Sequence, residues 1–162
     1  MTILNAILFK VNWIACVVGG TFWGVGGIAC LIAFSFWAKS WRVDLPLVLI
    51  LSLTGAVLDT MWIYLGILDY QSPIAPLWII MLWAGLAFTI HHAMSLFIHR
   101  PLLGATLSGL AAPVTYLSGE RLGAVIVPDP LMLSVVMVTW FVLFYIVFKS
   151  AQRTYQTSEA TV

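Results

Sequence analysis

Charged residues are what this sequence lacks most. Among its 162 residues, seven are Lys or Arg and six are Asp or Glu, so that 8% are charged and 62% are hydrophobic. An ordinary soluble domain is about 25% charged. A chain with so little charge cannot cover a water-facing surface, and we predict a membrane protein. The net charge of +1 offers no basic patch, which argues against nucleic acid as a partner.

Residues for redox and metal chemistry are also scarce. Cys16 and Cys30 are the two cysteines and form no C-x-x-C pair, which argues against thiol–disulfide chemistry. The three histidines are too few for the histidine clusters of a membrane desaturase or hydroxylase. The sequence contains no G-x-S-x-G, H-E-x-x-H or P-loop motif. We therefore predict no metal site and no cofactor.

Apolar blocks separated by short polar turns predict the fold, an all-α polytopic transmembrane helical bundle. A span needs about 20 residues, so the first block is too long for one span, and we divide it at Gly19-Gly20-Thr21. In a five-span alternative this block is one long tilted helix. The six predicted spans are residues 3–18, 21–37, 44–68, 76–98, 101–127 and 131–148, followed by a polar tail at 149–162.

Basic residues predict the orientation because they fall on alternate connections between spans. The intervening turns, at 69–75 and 128–130, contain Asp but neither Lys nor Arg. The positive-inside rule therefore places the basic connections and the C-terminus in the cytoplasm. The N-terminus is then inside with six spans and outside with five. The basic connections hold Lys39 and Arg42, His99 and Arg100, and Lys149 and Arg153.

An outer layer of ionisable residues is the first candidate site. Glu120 and Arg121 lie near one end of the fifth span, and Glu120 shares a helical face with Tyr116. Asp59 in the third span lies at a similar depth. Ionisable groups inside a membrane are costly and usually functional. We predict that this layer either handles an anion or a proton, or forms a structural ion pair between two helices.

An inner layer is the second candidate site. His91 and His92 are neighbours whose side chains diverge, so they either take part in proton coupling or pack as structural histidines. Lys10 either extends its amine to the membrane interface or acts as a catalytic amine. The inner layer consists of Lys10, Asn12, His91, His92 and Ser95.

Three stretches together resemble a known family. They are Asn12-Trp13-Ile14-Ala15-Cys16, the segment from Pro76-Leu77-Trp78 to His91-His92, and Gly109 to Val125 with its Pro-x-x-Tyr and Arg-Leu-Gly-Ala-Val motifs. They resemble a family of small bacterial inner-membrane proteins known only as a domain of unknown function. The resemblance implies a Gram-negative inner-membrane location and no established activity. It also implies an association with genes of membrane fatty-acid modification, including cyclopropane fatty-acid synthase.

Three functional hypotheses follow. The first is a non-catalytic accessory of membrane lipid metabolism, which binds an acyl chain between helices with Arg121 and Glu120 near the headgroup. Its partners would be membrane lipids and a lipid-modifying enzyme. The second is a small proton-coupled transporter or exporter that uses Asp59, Glu120 and His91 or His92. The third is an intramembrane enzyme with Glu120 or Asp59 as acid and base. The sequence leaves the oligomeric state open.

Overall fold

The protein is helical throughout the part of the chain that the structure describes. The structure is a computed structural model, which describes the backbone of residues 1–159 and the side chains of residues 1–154. No strand occurs within residues 1–159, which confirms the predicted all-α class. The α-helices are α1 (Thr2–Trp37), α2 (Trp41–Tyr64), α3 (Leu77–Ala87), α4 (Pro101–Arg121) and α5 (Leu133–Glu159), with short 3₁₀ helices at Ser95–Ile98 and Pro130–Met132.

Helix α1 reverses its direction at Gly20. The backbone there has φ 62° and ψ −153°, a conformation that only glycine adopts readily. A straight helix would separate Asn12 and Gly27 by about 22 Å. Instead, a Cβ added to Gly27 would lie 2.8 Å from the Cα of Asn12. The arms at residues 2–19 and 21–37 therefore pack antiparallel, and the predicted division at 19–21 falls at this reversal.

Helix α3 is the central element of the fold. It is apolar on all sides, which is typical of a core helix, and six of its eleven residues are buried. The first arm of α1 packs along it, because Gly85 lies against the side chain of Asn12. Helix α2 packs on another side, where the indole of Trp83 rests on Gly55. Helix α3 thus holds the first two helices together.

The prediction of one continuous span at residues 76–98 is wrong. The α-helix ends at Ala87, and turns follow up to the 3₁₀ helix Ser95–Ile98. Asn5 of α1 stabilises this break from both sides. Its side-chain amide donates to the carbonyl of Phe88 at 3.1 Å, and its Oδ1 accepts the backbone N–H of Ala93 at 3.3 Å. The break therefore depends on a residue from the other end of the sequence.

Helices α2 and α4 end earlier than predicted because glycines follow them. Gly66 has φ 69° and Gly123 has φ 77°, the left-handed conformation that commonly stops a helix. The predictions placed these helix ends at residues 68 and 127. Helix α2 also begins before the predicted residue 44, at Trp41, so that Pro46 lies inside the helix rather than at its start.

Helix α5 is longer than the predicted span 131–148. It continues to Glu159 and so includes most of the predicted polar tail, whose last three residues lie outside the described part. Helix α5 packs closely on α4. A Cβ on Gly109 of α4 would lie 3.0 Å from the carbonyl oxygen of Met137. Small residues allow this approach of two helix backbones.

The composition of the helices indicates a membrane protein. Within the described residues, three helical segments are long and apolar enough, by length and composition, to cross a membrane, at Thr2–Trp37, Trp41–Tyr64 and Pro130–Thr154. The first of them contains the reversal at Gly20. Large apolar side chains remain exposed on their outer faces, for example Phe22 at 82% and Leu53 at 69%. Helix α3, with 11 residues, is too short to cross a bilayer by itself.

The bundle has two ends, which we name after the residues found there. The Gly20 end holds the reversal of α1 and the connections at 65–76 and 122–132. These two connections are joined by a pair of backbone hydrogen bonds between Asp69 and Ile126, at 2.9 and 2.8 Å. The Ser40 end holds the turn between α1 and α2 and the residues at 88–100.

Candidate functional site

A fully buried carboxylate, Asp59, lies in the part of α2 nearer the Gly20 end of the bundle. One carboxylate oxygen accepts from the hydroxyl of Tyr70 at 2.5 Å and from that of Tyr116 at 3.2 Å. The other accepts the indole N–H of Trp83 at 2.6 Å. Gly55, one turn earlier, leaves the space that the indole occupies. Asp59 therefore joins α2 to α3, to α4 and to the connection after α2.

Tyr70 is a fixed donor in this cluster. It lies between α2 and α3, outside the helices, and its neighbour Asp69 is held by the backbone pairing with Ile126. Burial, together with the negative charge of Asp59, raises the pKa of the Tyr70 phenol well above its ordinary value. The hydroxyl therefore keeps its proton and continues to donate to Asp59 throughout the physiological pH range.

A cavity of about 700 Å³ lies beside the Asp59 cluster, between the first arm of α1, α3, α4 and α5. Tyr70, Trp83 and Tyr116, the three donors to Asp59, form part of its wall. Most of the remaining lining is apolar or aromatic. A volume of this size is typical of binding sites for small molecules and cofactors. The apolar lining includes Trp13, Leu82, Leu86, Leu107, Val114 and Phe144.

The cavity is elongated along α4. Ser108 and Arg121 both line it, and thirteen residues of α-helix separate them by about 20 Å. Arg121 lies at the Gly20 end and is exposed. Among the described residues, the charged side chains on the wall are Arg121 and Lys10. The amine of Lys10 lies 5.7 Å from the ring centroid of Trp13. The wall is thus mostly apolar, with one cationic side chain, Arg121, at the Gly20 end and a second, Lys10, ten residues before Gly20 on the first arm of α1.

The predicted outer layer is brought together only in part. Asp59 contacts α4 through Tyr116 rather than through Glu120 or Arg121. Glu120 instead uses its Oε1 to accept the backbone N–H of Val127 at 2.9 Å. This hydrogen bond holds the connection that follows α4. Tyr116 and Arg121 face the cavity, whereas neither Asp59 nor Glu120 is part of its lining.

His92 of the predicted inner layer belongs to a polar cluster at the Ser40 end. Its Nε2 lies 3.2 Å from Oδ2 of Asp44, which is fully buried. The same oxygen accepts from the hydroxyls of Ser35 at 2.6 Å and Ser40 at 2.5 Å. The Ser40 hydroxyl also lies 3.0 Å from Nε2 of His92. This is not a catalytic triad, because a triad uses both ring nitrogens.

Sequence reasoning missed Asp44 as a member of this cluster. From the sequence alone, an acid near the start of α2 is explained by its favourable interaction with the helix dipole. In the structure Asp44 is buried, and it joins α1, α2 and the segment after α3. The feature of the sequence that could have indicated this cluster is the presence of two serines a few residues before Asp44, at 35 and 40.

The other residues of the inner layer are dispersed. His91, Ser95 and His99 would share a face of a continuous helix, but the α-helix ends at Ala87, and that face does not form. Lys10 is exposed, and Asn12 is buried between Gly27 and Gly85. Within the described part of the chain, no three His, Cys, Asp or Glu residues group closely enough to hold a metal ion.

Comparison with known protein families gives a match, over residues 2–146, to a family described as "Protein of unknown function (DUF2878)". Neither a search of curated proteins nor a search of solved structures found a similar protein. The predicted resemblance to a family of unknown function is thereby confirmed. Because the match covers nearly all of the helical domain, the chain belongs to the DUF2878 family.

Proposed function

We propose that the protein binds a membrane lipid or a similar long-chain amphiphile in the elongated cavity. The anionic headgroup would lie at Arg121, and the chain would lie along the apolar wall toward Ser108. The single observation that carries this proposal is the shape and chemistry of the cavity. It is about 700 Å³ in volume and mostly apolar, and it has a cationic side chain at the Gly20 end.

The surroundings of Arg121 support a headgroup at this end. Tyr70 and Trp78 line the same part of the cavity, with their rings 5.6 Å apart. Tyr and Trp are typical of the interface between membrane and water. Arginine binds carboxylate and phosphate groups through charge-assisted hydrogen bonds. A ligand with an anionic head and an apolar chain matches both parts of the site.

The position of the protein in the membrane is part of the same proposal. We place all six helical segments in a bacterial inner membrane, with the two arms of α1 counted separately and the Ser40 end in the cytoplasm. The positive-inside rule supports this orientation. The basic residues at the Ser40 end include Lys39, Arg42, His99 and Arg100.

Binding without chemistry suits the site better than acid–base catalysis. Among the described residues, no carboxylate lines the cavity, and that of Asp59, which lies behind Tyr116 and Trp83, already accepts three hydrogen bonds. An intramembrane enzyme would need a carboxylate within reach of its substrate. We therefore favour a lipid-binding accessory that acts beside a lipid-modifying enzyme.

Replacement of Arg121 tests the proposal. In phosphatidylcholine nanodiscs, we expect Arg121→Gln to weaken the binding of lysophosphatidic acid about tenfold, the size of a lost charge-assisted hydrogen bond. Binding is measured by displacement of a fluorescent fatty-acyl probe. A monoacylglycerol with the same chain should bind wild type and Arg121→Gln equally. Arg42→Gln, at the Ser40 end, is the control and should bind both ligands as wild type does. If lysophosphatidic acid bound wild type, Arg121→Gln and Arg42→Gln with equal affinity, the proposal would be contradicted.

A proton-coupled transporter is the second candidate, and one observation favours it. The side chain of Tyr116 lines the cavity and its hydroxyl donates to the buried Asp59, a position from which it would pass a proton between them. Tyr116→Phe keeps the ring and removes the hydroxyl. If the protein couples transport to protons, this variant should lose pH-driven flux in proteoliposomes while remaining folded, because Tyr70 and Trp83 still donate to Asp59. The lost hydrogen bond to the carboxylate should lower the free energy of unfolding by about 1.5–3 kcal/mol. Unchanged flux would exclude the relay.

A further inference from the structure

The cavity is open on one side, between the first arm of α1 and α4. Its walls on α3 and α5 consist of buried or half-buried residues, among them Leu82 and Phe144. On α4, by contrast, several lining residues are exposed, such as Leu107 at 45% and Val114 at 64%. Among the described residues, the elements that pack closely on α4 are α5 and the 3₁₀ helix Ser95–Ile98. Because α1 is not one of them, the opening lies on the side of the bundle that would face lipid.

The lining residues on the open side of α4 form one stripe along the helix. They recur every three or four residues, which is the period of a single helical face. Arg100, which is exposed and directly precedes α4, continues this period toward the Ser40 end. From Arg100 to Arg121 the face is about 31 Å long, which matches the roughly 30 Å hydrocarbon core of a bilayer. The lining residues of the stripe are Leu107, Ala111, Val114, Ser118 and Arg121.

Lys10 lies on the other side of the opening, halfway along the first arm of α1. It is exposed and lines the cavity. Among residues 1–154, no carboxylate lies within salt-bridge distance of its amine, which instead lies over the ring of Trp13. A charge in the middle of a membrane helix is costly and commonly marks the path of a substrate or ion. Lys10 therefore attracts an anion at a depth where the surrounding lipid offers none.

The composition of α4 also fits a helix beside a polar path. With 21 residues it is long enough to cross a bilayer, yet it is not among the described segments that are apolar enough to do so. Thr115 and Ser118 lie on the cavity wall. Each hydroxyl donates to a backbone carbonyl and keeps lone pairs that can accept a hydrogen bond. Such oxygens suit the hydroxyl groups of a lipid headgroup.

We propose that the opening between α1 and α4 carries the headgroup of an anionic phospholipid from one leaflet of the membrane to the other. The headgroup would pass Arg100, Lys10 and Arg121 in turn, while its acyl chains extend through the opening into the surrounding lipid. The movement needs no covalent step, and the lipid moves in either direction down its own gradient. This inference rests on the proposed function, because the bound state with the headgroup at Arg121 is one end of the path.

Replacement of Lys10 tests the path at its middle. The full-length protein is placed in phosphatidylcholine vesicles with a trace of fluorescent phosphatidylglycerol, and external dithionite bleaches the label in the outer leaflet. Wild type should expose the inner half of the label, which stays protected in protein-free vesicles. Lys10→Gln should slow this transfer about tenfold, as expected for one lost charge-assisted contact, whereas Lys10→Arg should retain it. Arg42→Gln, which does not line the cavity, is the control and should match wild type.

Obstruction of the opening provides a second test. Val114→Trp adds a large ring on the exposed side of the cavity and should slow the transfer of phosphatidylglycerol. Leu110→Trp is the matched control, because Leu110 is similarly exposed on α4 but does not line the cavity. It should transfer lipid as wild type does. Since both side chains are exposed, both variants should fold, and unfolding in detergent micelles checks this.

The outcomes separate this inference from the function on which it rests. If wild type leaves the inner half of the label protected, as in protein-free vesicles, the inference is overturned, while displacement of the fatty-acyl probe by lysophosphatidic acid would still support lipid binding. If neither Lys10→Gln nor Val114→Trp slows the transfer, the lipid takes another route and the inference also falls. If lysophosphatidic acid does not displace the probe from wild type, the proposed function itself fails.

Discussion

Replacement of Asp59 by leucine is expected to lower the free energy of unfolding by about 4 kcal/mol. Leucine has the same branching but larger methyl groups in place of the oxygens, so the loss comes from unpaired hydrogen-bond donors and from crowding rather than from a cavity. Tyr70, Trp83 and Tyr116 would each keep a buried donor without an acceptor. Each unpaired donor costs about 1–3 kcal/mol, and partial rearrangement recovers some of it. Reversible unfolding in mixed detergent micelles measures the change.

A milder variant and a matched control sharpen this prediction. Asp59→Asn keeps one oxygen as an acceptor but turns its amide donor toward another donor, so its loss should lie between wild type and Asp59→Leu. Asp129→Asn is the control, because Asp129 accepts a single backbone N–H, from Leu131 at 2.9 Å, and asparagine can do the same. A loss in Asp129→Asn as large as that in Asp59→Leu would show that the Asp59 cluster has no special role.

The local sequence indicated some of the fold and site correctly because the responsible interactions are local. The all-helical class follows from long apolar blocks with few charges. The break near residue 20 follows from adjacent glycines, one of which adopts a conformation that other residues avoid. Asp59 was a candidate because a carboxylate within an apolar helix needs partners. The sequence did not predict which residues these partners are, namely two tyrosines and a tryptophan, or where they lie.

Other features could not be read from the sequence because their causes lie far along the chain. No glycine or proline occurs between residues 86 and 100, yet the α-helix ends at Ala87, where Asn5 contacts the following turn. Asp44 likewise depends on His92, 48 residues away. Periodicity and turn composition describe neighbours within a few residues. They carry no information on such long-range hydrogen bonds, which here decide where one helix stops and which acid is buried.

Two adjacent glycines in α1 provide the second large prediction. Gly27→Ala should lower the free energy of unfolding by about 2–3 kcal/mol, because its new Cβ would lie 2.8 Å from the Cα of Asn12, and a backbone atom cannot move aside cheaply. Gly26→Ala should be neutral or stabilise the protein by up to about 1 kcal/mol, since it meets no atom within 4 Å and alanine favours the helix. The same unfolding assay compares the two variants.

The contrast between these variants also decides how α1 folds. In one straight helix, as in the five-span alternative, Asn12 would lie far from both glycines, and the two alanines should behave alike. A distance measurement provides an independent check. Spin labels on Cys30 and on Lys10→Cys, in a Cys16→Ala background, would be about 30 Å apart along a straight helix. With the chain reversed at Gly20, the labels should lie side by side, because Asn12 already meets Gly27. A long distance together with equal stabilities would show that the first apolar block crosses the bundle only once.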